Sequence, residues 1–483
     1  MRELRLDHPT QVAIRDLAEV IRALGGRAIV VGGAVRDMVF QRVSGLEAPV
    51  TDIDVEVFGV DPDRLVSMLD QRYSIVGVGG EFGVWTIEGG AGVGSIDVSL
   101  PRRERRTGHG HRDFVVDVDP HLSFADAAQR RDFTIGAMGF DPITEEILDP
   151  FHGERDLEGR ILRHVGPAFI EDPLRPLRAV RFAARFGLQL APATAALCRD
   201  MRGDATALPE ERIWTEFSKT LLQAPRPGSA LHLLEDIGWV DIFPEVAAMR
   251  GVPQDPRWHP EGDVFVHTAH VMDFWSEHLR TGDQDDDLIV IVAALCHDLG
   301  KVGTTEEIDG RIRAHGHDSA GVRPTSAFLE RFHQARLTAE VTPLVEHHLA
   351  PPVFMRQRVT DRAIRKLSTK VSRLDLLCAL ARADQGGRPP LDPSAALQDI
   401  DAFEARVSAL GVLEGPPRRL ASGDHLIEMG LRPGTRFREI LDLAYEAQLA
   451  GDVTTEDEAR THLAVIVEDF GIVPPAPPGS ETT

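Results

Sequence analysis

The sequence predicts a multidomain protein in which an α/β or α+β amino-terminal domain precedes an all-α remainder. Three observations carry this expectation. The chain has 483 residues, several times the ~100 to 150 at which single domains are commonest, so about three domains are expected. Up to about residue 150, short β-branched runs alternate with helical patterns and glycine-rich turns. Beyond about residue 160 the apolar residues fall at helical spacing, as in Leu177, Val180 and Ala184.

In chain order, Val12–Leu24 reads as a helix, Ala28–Val31 as a short strand, Gly32-Gly33 as a turn and Ala34 onward as a second helix. Strands follow at Ile53–Phe58, Val84–Ile87 and Ile96–Leu100, with the glycine-rich Gly89–Gly94 as a turn. Pro209, Glu210 and Glu211 open a later helix, since proline and acidic residues suit a first helical turn. Two turn-rich stretches, Gly251–Gly262 and Gly386–Pro393, read as boundaries. The expected division is 1–150, 151–250, 251–392 and 393–473, with 474–483 disordered because Pro, Gly, Ser and Thr leave little to bury.

Composition excludes several classes. The longest apolar run, Leu288–Cys296, is far below the ~20 residues of a membrane-spanning helix. The charged start, Met1–His8, lacks an apolar signal region, so a cytoplasmic location is expected. Cys198, Cys296 and Cys378 are odd in number and widely spaced, which excludes a disulfide framework or zinc ribbon and predicts buried small hydrophobes. With 53 Lys and Arg against 76 Asp and Glu, net −23, general electrostatic coating of nucleic acid is excluded. RNA would need a local basic patch, for which Arg102, Arg103, Arg105, Arg106 and Arg112, then Arg160, Arg163, Arg175, Arg178, Arg181 and Arg185, are the candidates.

Two constellations carry chemistry. In Thr51–Phe58 strict alternation puts Ile53, Val55 and Val57 on one face and Asp52, Asp54 and Glu56 on the other. Asp52 and Asp54 would lie roughly 7 Å apart, so their carboxylates can converge on metal ions for two-metal phosphoryl transfer. Asp97 would be a third ligand if its strand is adjacent. Gly32-Gly33 sits between strand and helix, where bare amides and a helix N-terminus can hold a triphosphate. The second constellation is His267 and His270 at i, i+3, His297-Asp298, His315-Gly-His317, His347-His348 and Asp384. Imidazoles and carboxylates suit a divalent transition metal, and hydroxide bridging two such ions is a nucleophile for phosphoester hydrolysis.

The first set is part of a longer pattern. Gly32-Gly-Ala-Val-Arg-Asp37 and Thr51-Asp-Ile-Asp54 are followed by Arg130-Arg-Asp-Phe-Thr-Ile135 and by Asp149-Pro-Phe-His-Gly153 with Asp156-Leu157. Then come Glu171-Asp-Pro-Leu-Arg175, running into Leu177–Phe186, and Glu211-Arg-Ile213. Residues 26 to about 220 thereby resemble class II tRNA nucleotidyltransferases, the CCA-adding enzymes and bacterial poly(A) polymerases, which implies a polymerase-β-like head and a helical neck and body. Residues 260 to about 390, with His297-Asp-Leu-Gly-Lys301 as the most specific piece, resemble the HD phosphohydrolase superfamily, and the rest would be a helical tail.

The resemblance implies roles position by position. Asp52 and Asp54 would be catalytic and hold Mg²⁺. Gly32, Gly33 and Arg36 would grip the triphosphate with Arg178 and Arg181. Asp172 and Arg175 would read the incoming base, Arg131 and Asp132 would shape the nucleotide pocket, and Arg102–His111 would be a mobile loop. The family usually continues Arg130–Ile135 with Asn, where this chain has Gly136, removing an amide from the pocket. In the second half, His267, His297, Asp298 and Asp384 would form the core metal site, and His317, His347 and His348 a second, taking Mn, Fe, Ni or Co. Lys301 would stand by the phosphate. The implied partners are a tRNA 3′ end, CTP and ATP, with no membrane and no obligate protein partner. The implied function is addition of C, A or both to tRNA 3′ ends, with HD phosphodiesterase or phosphatase activity. The alternative is an HD phosphohydrolase of nucleotides or RNA ends whose nucleotidyltransferase half only binds.

Overall fold

The computed structural model describes residues 8–45, 53–79, 83–88, 94–106 and 114–471. Asp52, the Gly89–Gly94 turn up to residue 93, and the 474–483 tail lie outside the described residues. The chain forms two compact units, one of residues 1–224 with 232–242 and the other of 225–231 with 243–483.

The first unit opens with helix α1 (His8–Ala23), whose Ile14, Leu17 and Ile21 are buried, and strand β1 (Arg27–Val31). Helix α2 (Gly33–Ser44) starts at once and ends at Gly45, whose left-handed φ of 74° lets its amide close on Gln41. Strand β2 (Ile53–Phe58) follows, then α3 (Pro62–Arg72), fixed by the Asp61 carboxylate accepting from the Asp63 and Arg64 amides and by Pro62 in the first turn. Strands β3 (Ile75–Gly79), β4 (Val84–Glu88), β5 (Ser95–Ser99), β6 (Arg102–Arg106) and β7 (Phe114–Val118) come next. Helix α4 (Phe124–Ala128) and strands β8 (Gly139–Asp141) and β9 (Glu146–Leu148) complete the sheet.

The main sheet runs β3-β4-β5-β2-β1-β8-β9. Strand β2 is central, antiparallel to β1 and parallel to β5, which sets Asp54 opposite both Val31 and Asp97. Sequence reading makes the Asp54 face of β2 polar throughout, but Glu56 on it is only 1% exposed because Arg130 reaches over it with an Nη2–Oε1 bond of 3.3 Å. The stretch from Arg102 is likewise no plain loop: β6 and β7 pair antiparallel as a separate two-stranded ribbon, and residues 107–113 lie outside the described residues.

Helices α5 (Gly153–Glu158), α6 (Arg175–Phe186), α7 (Pro192–Asp200) and α8 (Glu210–Gln223) follow, with α6 packed on α8. Helix α6 stops at Gly187, φ 63°, the usual left-handed helix end. Trp239 is wholly buried in this unit and donates its indole NH to the Cys198 carbonyl at 2.6 Å.

The second unit is mainly helical, with one antiparallel hairpin of Thr305–Ile308 and Arg311–Ala314. Val264–His278, Gln284–Cys296, Ala335–His347 and Leu374–Gly386 form its centre. The Asp283–Asp287 acidic run turns out to be a helix start: Asp283 accepts from two amides, and three further aspartates complement the helix dipole. Ser394–Ala409 packs on Leu374–Gly386 and on Ala350–Arg356. The last three helices, Gly423–Glu428, Thr435–Ala450 and Glu456–Asp469, share an apolar core around Leu426, Ile440 and Leu463. The three cysteines are buried, as expected. No helix among the described residues is long and apolar enough to cross a membrane.

Candidate active sites

The first site forms where β1 ends. Gly32 has φ 74° and ψ −131°, a backbone open to glycine and strained for other residues. A Cβ there would stand 3.2 Å from Asp54 Oδ2 and 3.4 Å from Arg131 Nη1, so the turn is pressed against both groups. Asp97 lies in register with Asp54 on the adjoining parallel strand, about 4.8 Å away across the ladder. Its Oδ1 accepts from Thr86 Oγ1 at 2.7 Å. The strand adjacency on which a role for Asp97 depends is therefore present.

Gly32, Asp54 and Arg131 line a cavity of about 470 Å³ with Arg36, Asp132, Asp172, Arg175 and Arg178, whereas Asp97 does not reach its wall. Nearly every cation is tied down. Arg36 donates to Asp37 at 2.7 Å and lies over the Phe182 and Phe186 rings, 4.9 Å from each centroid. Arg178 holds Asp132 at 2.6 Å, and Arg185 holds Asp37 at 3.1 Å. The Arg175 and Asp172 side chains do not pair with each other: Arg175 donates to the Ala168 and Arg130 carbonyls, while Asp172 takes the Leu174 amide at 3.0 Å and a half-buried contact from Arg212 at 3.4 Å. Asp172 thus keeps acceptor capacity toward the cavity.

Arg181 departs from expectation. It is 8% exposed, does not line the cavity and pairs with buried Glu216 on α8 at 2.8 Å. Burial lowers its pKa to about 10 despite that carboxylate. The predicted basic patch shrinks accordingly, because Arg163, Arg178, Arg181 and Arg185 each face a carboxylate. Gly136 does line the cavity, and a Cβ on it would meet Asp132 Oδ1 at an ordinary 3.6 Å.

The second site sits among the central helices of the second unit. His297 and Asp298 follow one helix, Asp384 lies near the end of another, and His317 begins a third. Gly300 makes this approach feasible: a Cβ there would fall 2.0 Å from the His317 carbonyl oxygen. His297, His317 and His348 each bond through Nδ1 to the carbonyl three residues earlier, at 2.8, 2.8 and 2.7 Å. His267 bonds through Nδ1 to Glu261 Oε1 at 2.7 Å. All four thereby leave Nε2 for the centre, the orientation that ligating histidines take from their outer hydrogen bonds.

At that centre, His267 Nε2 lies 3.1 Å from Asp384 Oδ1, His297 Nε2 3.2 Å from Asp298 Oδ2, and His317 Nε2 3.4 Å from Asp298 Oδ1. Among the described residues three sets fall within ion-binding reach, His259 with Glu261 and His267 at the edge of the cluster and, at its centre, two more, His267 with His297 and Asp298, and Asp298 with His317 and His348. Asp298 is common to the two central sets. His297 Nε2 and both Asp298 oxygens are buried without a hydrogen-bond partner, although Lys301 Nζ forms an ion pair 2.6 Å from Asp298 Oδ2. Nitrogen and oxygen lone pairs facing one another are satisfied by a proton or a cation between them, so the donor set fits a divalent metal. The electrostatics agree. Burial works against a charged His297, yet Asp298 and Asp384 outweigh it and raise its pKa. Burial also opposes the Asp298 charge, but His297 and Lys301 hold its carboxyl well below the usual range.

His347 belongs to none of these sets among the described residues. The last turn of its helix directs it toward Glu346, 4.0 Å away, while His348, one residue on, turns inward. Sequence reading also misses several participants. The Glu261 side chain is fully covered and bridges His259 at 3.0 Å and His267 at 2.7 Å. Gln254 accepts from Lys301 at 2.7 Å, and Arg388 holds Asp384 at 2.6 Å. All lie in the two turn-rich stretches read as boundaries; a helical or strand period marks none of them.

Family models match in three stretches: Poly A polymerase head domain over residues 28–163, Probable RNA and SrmB- binding site of polymerase A over 187–249, and HD domain over 264–405. The Multifunctional CCA protein of Xanthomonas campestris pv. campestris is 37% identical over 398 residues, 79% of this chain and 90% of that protein. This chain belongs to the CCA protein family. It is a tRNA nucleotidyltransferase with an HD domain. The Stenotrophomonas maltophilia CCA protein is 41% identical over 323 residues, covering 65% of this chain and 73% of that one. The fold matches the Bacillus stearothermophilus CCA-adding enzyme in complex with CTP at a TM-score of 0.66 and 21% identity, over 96% of this chain and 98% of the other. It also matches the Thermotoga maritima CCA-adding enzyme complexed with tRNA at 0.57 and 17%, over 97% and 99%. Among CCA proteins the expected polymerase-β-like head, helical body and HD domain are therefore all in place.

Proposed function

We propose that this CCA protein adds C and A to tRNA 3′ ends from CTP and ATP in its head, and hydrolyses phosphoesters of RNA ends or nucleotides in its HD domain. The observation that carries the first activity is the Gly32 turn pressed on Asp54, with Asp97 in register, at the wall of an arginine-lined cavity. Mg²⁺ held by Asp52 and Asp54, with Asp97 beside them, would neutralise the triphosphate and favour ionisation of the tRNA 3′-hydroxyl. That oxygen forms a bond to the α-phosphorus as the bond to the β-phosphate oxygen breaks, and pyrophosphate leaves. The Gly32-Gly33 backbone presents amides at the start of α2, and Arg36 and Arg178 supply charge-assisted contacts. Asp172 accepts from the exocyclic amine common to cytosine and adenine, while Arg175, held by two carbonyls, donates to a ring acceptor. Arg131 and Asp132 shape the pocket between them. Arg181 acts at one remove, bracing α6 through Glu216.

For the second activity, His267, His297, Asp298 and Asp384 would hold one divalent ion and His317 and His348, with Asp298, another. Mn, Fe, Ni and Co all suit such imidazole and carboxylate donors. Bound metal would supply hydroxide for attack on phosphorus. Lys301 places a cation next to Asp298, where a phosphate oxygen would lie.

Three tRNA transcripts, ending before CCA, after C and after CC, incubated with Mg²⁺ and labelled CTP or ATP, test both readings. Wild type should give extensions of one to three residues. Asp54→Ala should abolish extension and leave cyclic-phosphate hydrolysis intact; His297→Ala should do the reverse. Extension by Asp54→Ala would remove the role assigned to β2.

A further inference from the structure

Most large apolar side chains on this protein are covered, and among the described residues one exposed aromatic stands out. Trp258 is 64% exposed, and the other exposed large apolar residues are all aliphatic. An exposed indole loses the favourable burial that an aromatic side chain ordinarily gains, so its place on the surface is informative. Trp258 lines the cavity of about 280 Å³ whose floor includes Asp298, Lys301 and Asp384.

The loop that carries it is pinned along its length. Gly251 donates to Asp263 Oδ2 at 2.7 Å, and Gln254 donates to the Gly262 carbonyl at 3.3 Å. The Asp255 carbonyl accepts from both the Trp258 and His259 amides, at 3.0 and 2.9 Å. The same loop delivers Glu261 to His267. The backbone that carries the indole is thus held at a fixed place relative to the histidine cluster, which lowers the entropic cost of binding on it.

We propose that Trp258 is a base-stacking subsite of the HD cavity, so that this site takes the phosphate of a terminal nucleotide in preference to a base-free phosphoester. The proposal rests on the reading that the HD cluster engages phosphoesters. The cavity's lining combines two kinds of group, the cations Lys301 and Arg388 and the largely exposed indole of Trp258. Its volume is at the lower limit of ligand pockets, about 300 Å³ and upward, which suits one nucleotide unit. Every base has a π-face, so an indole recognises a base without selecting its sequence. That is the recognition an activity on RNA ends requires when the terminal residue varies.

The test measures binding and turnover separately, on the full-length protein. Binding is read by calorimetry and by quenching of tryptophan fluorescence, with adenosine 3′-phosphate, uridine 3′-phosphate and ribose 5-phosphate as probes, in wild type, Trp258→Ala and Trp258→Phe. Stacking of a base on an aromatic side chain corresponds to about 5- to 150-fold in affinity. Trp258→Ala should weaken both nucleotides at least about fivefold and leave ribose 5-phosphate within about twofold, with Trp258→Phe between. Equal loss for all three probes, or no loss for the nucleotides, overturns the proposal. Hydrolysis of 2′,3′-cyclic AMP with Mn²⁺ or Ni²⁺ is followed in parallel. If the base-dependent binding persists but wild type hydrolyses nothing, the subsite stands and the hydrolase reading falls. If hydrolysis persists while binding ignores the base, the reverse holds.

Discussion

Substituting Gly32 by alanine perturbs backbone and site together, and the two effects can be sized separately. At φ 74° and ψ −131°, a non-glycine residue costs on the order of 1–3 kcal/mol. For a unit of this size that lowers its melting midpoint by roughly 2–12 °C, at about 2–4 °C for each kcal/mol. The added Cβ also meets Asp54 Oδ2 at 3.2 Å and Arg131 Nη1 at 3.4 Å, closer than ordinary contact, so these side chains shift by a few tenths of an ångström. If a 1 Å misplacement costs about 10²-fold, such a shift lowers kcat roughly three- to tenfold. Gly33→Ala is the stability control. Gly33 is the first residue of α2 without a positive φ, and its Cβ would meet Arg36 Nη2 at 3.5 Å. There the change should leave the midpoint unchanged or raise it by the gain of about 0.4–1 kcal/mol seen at compatible sites. The assays are thermal unfolding followed by circular dichroism and single-nucleotide extension of a tRNA ending in CC. Equal midpoints for the two variants, together with wild-type kcat for Gly32→Ala, would refute the reasoning.

Glu261→Ala removes the carboxylate that fixes His267 through Nδ1, and loss of such an outer partner typically costs about 10- to 100-fold in metal affinity. A Mn²⁺ or Co²⁺ titration should show that weakening while nucleotidyl transfer is unaffected. His164 offers a pH test: burial, then the Arg163 charge, lower its pKa below 6.5, and Thr194 Oγ lies 2.8 Å from its Nδ1. The unfolded chain therefore binds more protons here, so this contribution is complete above about pH 6.5 and is lost as pH falls toward the folded value. Replacing His164 by Gln should flatten the decline in urea stability as pH falls below about 6.5, and an unchanged slope would assign that decline to other groups.

Much of this was legible in the sequence where the signal is local. Alternation marks β2 and β5, and the Gly-Gly step marks the β1–α2 turn. The ordered His and Asp residues mark the second site because the family pattern fixes their sequence order. Other features have no local signature. Arg178 and Asp132 are 46 residues apart, and nothing near Arg181 announces that Glu216 on another helix will take it from the cavity. Glu261, His259 and Arg388 are hidden for a different reason: proline and glycine mark a turn, and a turn reads as a border, whereas here those turns line the cavity over the cluster. His347 and His348 look equivalent in sequence, and only the helix end determines which one faces inward.

The position of β2 in the sheet also bears on synthesis. Strand β2 is complete at Phe58, but β8, which covers the other edge of β1, begins at Gly139. At ~5–20 residues per second a ribosome takes roughly 4–16 s to bridge that interval. Meanwhile the emerging polypeptide carries an exposed β edge, the kind of surface that pairs with other chains. The nucleotide cavity also lacks Arg131 and Asp132 until they are translated. A stall in this window would leave a sheet with an uncovered edge and no assembled pocket, so the translation rate across these codons bears directly on how much of the product matures.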